Sequence, residues 1–351
     1  MRCIAVHGAD AAKAAAGLIL SLRAAGGSVT AAYAGAEAPD AGFVTAEGRF
    51  LPDDVFWLEW ASGRAVRCGV PSAPETETVV LAAPDPTCLP GERFERVAAA
   101  DLPIPPIMRG DFTTGSGVRE RPVLRIGVVG DPHRHRHVSP AVLARLRDAA
   151  ERAGLAVEPV FIAGKPKPEG LCGMVLPGGA DMAQFGLQIA MADRCFAQGI
   201  PTFGLCLGMQ SMLTSRVRAM IWPEAASEEI VGPGSHRSFV RLRAADGSAF
   251  HRHGERRFEP VCGTGLAKLL PQGAAIRMNH RYRFNPEIDQ SLLPGIVLHR
   301  SDDIVDAIEV PAHPFFVGLQ GHPELGCDPA LTGLWDGFIQ ATSKFQAGQS
   351  R

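Results

Sequence analysis

The sequence lacks the features that mark several large classes of protein. No apolar run approaches the ~18 residues of a membrane span, and the first residues do not follow the charged-then-apolar order of a signal peptide. The 35 basic and 37 acidic side chains nearly cancel, so no overall positive field exists to hold nucleic acid or an acidic membrane surface. We therefore expect a cytoplasmic protein that binds neither nucleic acid nor membranes.

Cysteine is present but not in a paired pattern. The eight cysteines are scattered and form no CxxC pair, which argues against a zinc site and against a disulfide framework. Most of them are expected to be small buried apolar residues. We expect neither a metal nor a cofactor.

The length of 351 residues predicts two domains or one large one. A polar, glycine-containing segment at residues 108–122 is typical of a linker. After it, apolar strands and amphipathic helices alternate, which predicts an α/β fold with a doubly wound, mostly parallel sheet over residues 123–345. Its predicted strands are 123–129, 156–162, 172–176 and 201–205, and its predicted helices are 140–153, 182–198, 207–218 and 329–341.

The remaining parts of the chain have weaker patterns. Residues 221–311 indicate short strands and loops, which we expect at the far edge of the sheet and at the rim of the site. Residues 1–107 predict a smaller N-terminal α/β domain, with a strand at 3–7, an alanine-rich helix at 11–25 and a strand at 28–33.

One cysteine lies where an apolar strand is predicted to end and a helix to begin. Gly204-Leu205-Cys206-Leu207-Gly208 has the G-x-nucleophile-x-G spacing of an elbow, in which small flanking residues permit a tight turn. The helix N-terminus favours thiolate over thiol, which activates a weak nucleophile. The pattern predicts a nucleophilic Cys206; the alternative is a buried structural cysteine in a glycine-rich turn.

A cysteine nucleophile requires a general base, and the base requires a group that orients it. Gly321-His322-Pro323-Glu324 contains both within one turn, so His322 can face the thiol while Glu324 holds its ring. Taken alone this tetrapeptide is ordinary, and its value comes from the pairing with Cys206.

A third segment offers donors for an oxyanion. Leu176-Pro177-Gly178-Gly179-Ala180-Asp181 follows a predicted strand, and its consecutive glycines leave backbone N–H groups accessible. Gly179 and the N–H of Leu207 are the predicted donors, and a plain strand-to-loop turn is the alternative.

Taken together, these segments resemble the class I glutamine amidotransferases, which have a PGG loop, a G-x-C-x-G elbow and a late H-P-E in this order. Over residues 123–339 the chain looks most like the glutaminase domain of CTP synthase. Three segments resemble characteristic motifs of that domain: 204–210, His280-Arg-Tyr282 with Asn285, and 313–324. The resemblance implies a flavodoxin-like fold, Cys206 as nucleophile, His322 as base and acid, and Glu324 as the orienting group.

The same resemblance implies a glutamine-binding set of Gln210, Glu229 and Arg281 beside Gly178, Gly179 and Leu207. A guanidinium suits the α-carboxylate of glutamine, and a carboxylate suits its α-ammonium. A solvated charge at Arg281 and a helix-surface residue at Gln210 are the plain alternatives. The family's PGGFG is PGGAD in this chain, and Gly321 replaces the usual Phe, which is expected to loosen a wall of the pocket.

The N-terminal residues resemble a degenerate remnant of the synthetase domain of CTP synthase. Gly42-Phe-Val-Thr-Ala-Glu-Gly48 is similar to a family motif, but residues 7–13 lack the G-x-x-x-x-G-K-[ST] loop that cradles phosphates. We therefore expect that this chain alone does not make CTP, and that a separate synthetase or ligase uses the ammonia. A homo-oligomer is compatible with the sequence.

Two histidine-rich segments have several interpretations. His133-Arg-His-Arg-His137 repeats histidine with period two, as metal ligands on one strand face would, but a basic loop at the site mouth or a solvated loop also fits. His251-Arg-His253 with Arg256 and Arg257 has the same interpretations.

Three functions fit the sequence. A glutaminase that releases ammonia from L-glutamine is the first, and a hydrolase of other γ-glutamyl or amide substrates on the same fold is the second. The third is a non-catalytic or regulatory CTP synthase-like protein, against which the matched roles of Cys206, His322 and Glu324 argue.

Overall fold

The computed structural model describes residues 2–39, 41–69, 77–88, 94–112, 121–164, 169–179 and 183–349, apart from the side chains of Cys88 and Val138. The chain clusters into two compact units. The first is Met1–Phe112 with His133–Ala141 and Leu325–Cys327, and the second is Thr113–Pro132, Val142–Glu324 and Asp328–Arg351. Residues 113–120 of the predicted linker lie outside the described residues.

The first unit is built on a parallel sheet. Its elements are β1 (Arg2–His7), α1 (Ala11–Ala24), β2 (Val29–Tyr33), β3 (Phe43–Val44), β4 (Phe50–Leu51), α2 (Phe56–Ser62), β5 (Arg67–Cys68), β6 (Thr78–Ala83) and β7 (Glu95–Ala98). The sheet order is β5-β2-β6-β1-β7, and β3 pairs with β4 separately. The predicted β1, α1 and β2 are confirmed, and β6 and β7 are further strands outside the prediction.

The second unit carries the larger sheet. Its elements are β8 (Val123–Val129), α3 (Ala141–Arg152), β9 (Ala156–Ile162), β10 (Gly173–Leu176), α4 (Ala183–Ala197), β11 (Thr202–Leu205), α5 (Leu207–Met220), β12 (Ala226–Ser227), α6 (Glu228–Val231), β13 (Arg237–Arg241), β14 (Arg252–Phe258), α7 (Gly265–Leu269), β15 (Ala274–His280), β16 (Tyr282–Phe284), β17 (Val297–Ser301), β18 (Ile304–Glu309), β19 (Phe316–Leu319) and α8 (Thr332–Gln349).

This sheet is mostly parallel. Its strand order is β17-β18-β19-β11-β10-β8-β9, in which β17 and β18 are the antiparallel far edge and the other neighbours run parallel. The strands β14 and β15 form a separate two-stranded antiparallel ribbon. The predicted alternation of strands and helices is confirmed.

Helices cover both faces of the larger sheet. On β11, the ring of Phe203 contacts Trp335 and Phe338 of α8, with centroids 5.0 and 5.8 Å apart. The next residue, Gly204, points to the opposite face, where its missing side chain leaves room for Met212 of α5. The helices α8 and α5 therefore lie on opposite faces, as the doubly wound prediction requires.

Some elements differ from the sequence prediction. None of the predicted strands covers residues 316–319, yet β19 lies inside the sheet between β18 and β11, and α8 ends at Gln349 instead of residue 341. Arg134–Val138 is a π-helical turn in which His135 is buried, so the alternating histidines do not share a strand face. In the described part of the chain, no group of three His, Cys, Asp or Glu side chains is arranged to hold a metal ion.

Among the described residues, no helix combines the length and the apolar composition that a membrane span requires.

Candidate active site

Cys206 occupies a strained turn between β11 and α5. Its backbone has φ 47° and ψ −104°, a conformation that L residues rarely adopt. The flanking glycines make the turn possible, because a Cβ on Gly208 would overlap the carbonyl oxygen of Leu176, and a Cβ on Gly204 would lie 2.8 Å from the Met209 nitrogen. The predicted strand-to-helix turn is therefore present, and it needs glycine on both sides.

The Cys206 side chain is buried among polar groups. Its thiol donates to the backbone carbonyl of Asn279, at the end of β15, with a sulfur–oxygen distance of 3.8 Å. The side-chain amide of Gln320 donates to Sγ over 3.7 Å, and the Gln320 Oε1 accepts from Gln210 Nε2 at 3.4 Å. Gln210 therefore reaches the sulfur through Gln320 and is buried, not a helix-surface residue.

His322 and Glu324 form a buried pair next to this thiol. His322 Nδ1 lies 2.7 Å from Glu324 Oε1, so Nδ1 carries a proton that it donates to the carboxylate. The backbone N–H of His322 donates to the carbonyl of Arg277 at 2.7 Å, which fixes the turn against β15. Because Nδ1 is hydrogen-bonded to Glu324, Nε2 is the ring atom available to the Cys206 thiol.

The electrostatics of the two nearest histidines differ. Burial alone would lower the pKa of His322, but the negative charges of Glu324 and of Cys206 as a thiolate outweigh it, and the pKa is raised well above 6.5. Burial lowers the pKa of His280 to about 3. His280 is therefore neutral at physiological pH, and His322 is the histidine that can carry a second proton.

The glycine loop contacts both reactive side chains. The register pairs Leu176 with Gly204, so the loop after β10 emerges beside the elbow after β11. A Cβ on Gly178 would lie 2.7 Å from His322 Cε1 and 3.3 Å from Cys206 Cβ. Gly179 has φ 140°, where glycine is favoured. Ala180 and Asp181, the last residues of the predicted loop, lie outside the described residues.

Leu207 is the first residue of α5 and is buried directly after Cys206. The first N–H groups of a helix have no partner within the helix, so the Leu207 N–H is available at the elbow.

Glu229 and Arg281 are electrostatic partners. Glu229 lies on α6 and Arg281 lies between β15 and β16, and both retain exposed surface. Partial burial of the carboxyl raises the pKa of Glu229, while the nearby charges of Arg281 and Arg241 oppose the rise. Arg281 is two residues from Asn279, whose carbonyl contacts the sulfur. Arg281 therefore interacts electrostatically with Glu229 while both side chains stay exposed to solvent.

One expectation about the surroundings of the site is wrong, and one of the open interpretations of residues 251–257 does not hold for Arg252. The space beside Gly321 is filled by β15, because a Cβ there would meet the side chain of Ile276 and lie 3.0 Å from Met278 Sδ, so this wall is not loosened. Arg252 is not part of a solvated loop: it is buried and forms a two-pronged ion pair with Asp306.

Gln320 and Asn279 are two neighbours of the thiol that are absent from the predicted site. A signal for Gln320 exists, since the apolar run at residues 315–319 is typical of a buried strand and Gln320 follows directly. No sequence signal identifies Asn279, because it contacts sulfur through its backbone carbonyl.

A family model and two curated relatives match the second unit. Residues 151–341, just over half of the chain, match the model described as glutamine amidotransferase class-I. The CTP synthase of Chlamydia pneumoniae is 29% identical over 224 residues, which cover 59% of this chain and 41% of the relative. The CTP synthase of Gibberella zeae is 31% identical over 207 residues, which cover 51% and 35%. The match thus spans less than half the length of these relatives.

A solved structure shares the fold. The Trypanosoma brucei CTPS glutaminase domain with bound acivicin superimposes with a TM-score of 0.56 and 24% sequence identity, covering 63% of this chain and 94% of that chain. The likeness establishes the α/β fold with its mostly parallel sheet.

Proposed function

The chain belongs to the class I glutamine amidotransferases, and from that membership we propose that it hydrolyses L-glutamine to glutamate and ammonia at Cys206. The observation that carries the proposal is the convergence of three groups. The Cys206 thiol lies at a strained turn, and the buried His322–Glu324 pair lies against it. A nucleophile, a base and an orienting carboxylate in this order are what acyl transfer requires.

The first half-reaction forms a thioester. His322 takes the proton of the Cys206 thiol, and the sulfur attacks the side-chain amide carbon of glutamine. The oxyanion that develops is stabilised by backbone N–H groups at Gly179 and Leu207. This assignment is supported by the contact of the neighbouring Gly178 with Cys206 and by the position of Leu207 at the start of α5. His322 then protonates the departing nitrogen, the C–N bond breaks, and ammonia leaves a γ-glutamyl thioester on Cys206.

The second half-reaction restores the enzyme. His322 removes a proton from water, the resulting hydroxide attacks the thioester carbon, and the C–S bond breaks. His322 returns the proton to the departing sulfur, so the products are glutamate and the free Cys206 thiol. Glu324 holds the ring throughout and stabilises the imidazolium form, to which the raised pKa of His322 corresponds.

Substrate recognition is assigned to three polar residues that the sequence predicts, Arg281, Glu229 and Gln210. Arg281 suits the α-carboxylate of glutamine and Glu229 its α-ammonium, as complementary charges require. Gln210 has a buried Oε1 without a described partner, so this atom can accept a hydrogen bond from the substrate. The ammonia is passed to a separate synthetase or ligase in the cytoplasm, because the residues after β1 lack a phosphate-binding loop.

The decisive experiment compares two cysteine variants of the full chain. Cys206→Ala is expected to lower glutamine hydrolysis by about a thousandfold or more, since the nucleophile is lost. Cys262→Ser, at an exposed cysteine, is the matched control and keeps wild-type activity. Ammonia release is measured with the chain alone and with candidate acceptor enzymes added.

Labelling with an electrophilic glutamine analogue separates the alternatives. Modification of Cys206, located by peptide mass spectrometry, is the expected result, and Cys195 stays unmodified because burial raises its pKa to about 12. Failure to label Cys206 together with no hydrolysis under any condition would favour a non-catalytic protein. Preferential cleavage of γ-glutamyl amides other than glutamine would favour the related hydrolase.

A further inference from the structure

Gln320 lies beside the nucleophilic sulfur for a topological reason. The parallel pairing of β11 with β19 sets Leu205 opposite Leu319, and the Cys206 N–H donates to the Leu319 carbonyl at 2.8 Å. The next residues of the two strands, Cys206 and Gln320, therefore leave the same edge of the sheet side by side. Two central strands thus place an amide against the thiol without any help from a mobile loop.

The orientation of this amide is fixed at both ends. Its Oε1 accepts from Gln210 Nε2 at 3.4 Å, which leaves the Nε2 end to point at Sγ over 3.7 Å. The backbone N–H of Gln320 donates to the carbonyl of Asp306 at 2.7 Å. Gln320 is fully buried, so water does not compete for either end.

The two other polar contacts of the sulfur act on different protonation states. The Asn279 carbonyl accepts the S–H proton and so favours the thiol. An amide N–H can only donate, and it is bound most strongly when the acceptor is charged. We propose that Gln320 is a further catalytic residue, whose side-chain N–H stabilises the Cys206 thiolate before attack and again when the thioester is cleaved. This inference rests on the proposed function of the same site.

The test measures the reactivity of the Cys206 sulfur as well as the turnover of glutamine. In Gln320→Met, a side chain of similar length without an N–H, Cys206 alkylation by iodoacetamide at neutral pH is expected to slow about tenfold, the effect of losing one hydrogen bond to a charged group. The midpoint of the pH profile of alkylation moves to higher pH. In Gln320→Glu the slowing is larger, because a carboxylate repels the thiolate. Modification is followed at Cys206 by peptide mass spectrometry.

Controls distinguish this role from packing. Gln346→Met, on α8, makes the same exchange where the amide bonds the Val123 carbonyl, and it leaves alkylation of Cys206 unchanged. For glutamine hydrolysis, the Gln320 variants lower kcat with little change in KM, since the contact is to sulfur and not to substrate. If Gln320→Met does not unfold cooperatively, Gln320→Asn replaces it in the test. Its side chain is one bond shorter and holds the N–H farther from Sγ, so the same slowing of Cys206 alkylation is expected.

The outcomes are separable from those of the proposed function. If Cys206 of Gln320→Met is alkylated at the wild-type rate and with the wild-type pH midpoint, the role of Gln320 is overturned even if glutamine is hydrolysed. An unchanged alkylation rate in the folded Gln320→Asn would overturn it as well. A slowed alkylation in a chain that hydrolyses no glutamine would support the thiolate contact while rejecting the glutaminase.

Discussion

At the scale of single residues, the ionisation of His322 is governed by two opposed effects. Burial disfavours the imidazolium, and the carboxylate of Glu324 together with the Cys206 thiolate favours it more strongly. A folded-state pKa above 6.5 contributes stability that is present below the unfolded value and is lost as the pH rises through the folded value. The His322–Glu324 pair is thus expected to stabilise the fold more in mildly acid than in alkaline solution.

Glu324→Gln tests this balance. The neutral amide no longer offsets burial, so the pKa of His322 falls, and glutamine hydrolysis drops roughly 10²–10⁴-fold, the range of a lost acid–base contribution. Urea unfolding at about pH 6 and about pH 9 checks the sign, because the stability difference from wild type is larger at the lower pH. A difference that grows towards alkaline pH would contradict the assignment.

Gly178 limits how closely the glycine loop can approach the same ring. Gly178→Ala places a Cβ 2.7 Å from His322 Cε1, so the ring must shift, and activity is expected to fall by up to about 100-fold for a displacement near 1 Å. Steady-state glutaminase kinetics measure the loss. Gly164→Ala, whose Cβ meets nothing within 4 Å, is the control, and equal activity in both variants would reject the steric explanation.

At the scale of elements, the elbow depends on how closely α5 approaches β10. The first turn of α5 contains Gly208, where an added Cβ overlaps the Leu176 carbonyl, and backbone cannot move aside as a side-chain end can. Cys206, the residue directly before α5, has a strained backbone conformation. The packing of helix on strand therefore sets the position of the thiol.

Gly208→Ala is accordingly expected to destabilise the second unit by about 1–3 kcal/mol, the usual cost of overpacking. Gly186→Ala, in the interior of α4 with nothing within 4 Å of its Cβ, should instead stabilise by up to about 1 kcal/mol through helix propensity. Urea denaturation gives both values. Equal effects of the two substitutions would show that the elbow is not sterically limited.

The ribbon of β14 and β15 is a second element that defines the site. Its Asn279 carbonyl contacts the thiol, its Arg277 carbonyl receives the His322 N–H, and its Arg252 is ion-paired with Asp306 on β18. Buried ion pairs fix position more than they add stability. The ribbon is therefore held to the sheet at the edge where Cys206 and His322 emerge.

At the scale of the whole molecule, the first unit differs from what nucleotide activation requires. After β1, the only lysine before α1 ends is Lys13, and its amine bonds Asp10 at 3.1 Å. Residues 7–13 supply neither the glycine-rich loop nor the Lys-Ser/Thr pair that binds phosphates. That this unit is a remnant of a synthetase domain stays a prediction.

With UTP, ATP and glutamine supplied together, the purified chain is expected to release ammonia and form no CTP. Chromatography of the nucleotides and an ammonia assay on the same samples measure both outcomes, and Cys206→Ala supplies the blank for ammonia. Formation of CTP by this chain alone would contradict the remnant interpretation.

Features that depend on neighbours along the chain could be predicted from the amino-acid sequence. The alternation of apolar strands and helices, the elbow at Cys206 and the turn from His322 to Glu324 follow from local periodicity and spacing, and each is present in the fold. The pairing of Glu324 with His322 could be predicted because two residues in one turn must lie close together.

The surroundings of the sulfur depend on contacts that form only in the folded chain. The β11–β19 register placed Gln320 beside Cys206, and the ribbon brought the Asn279 carbonyl to the thiol and filled the space at Gly321. These contacts join segments far apart in the chain. Their positions follow from sheet register and side-chain packing, which local residue preferences do not specify.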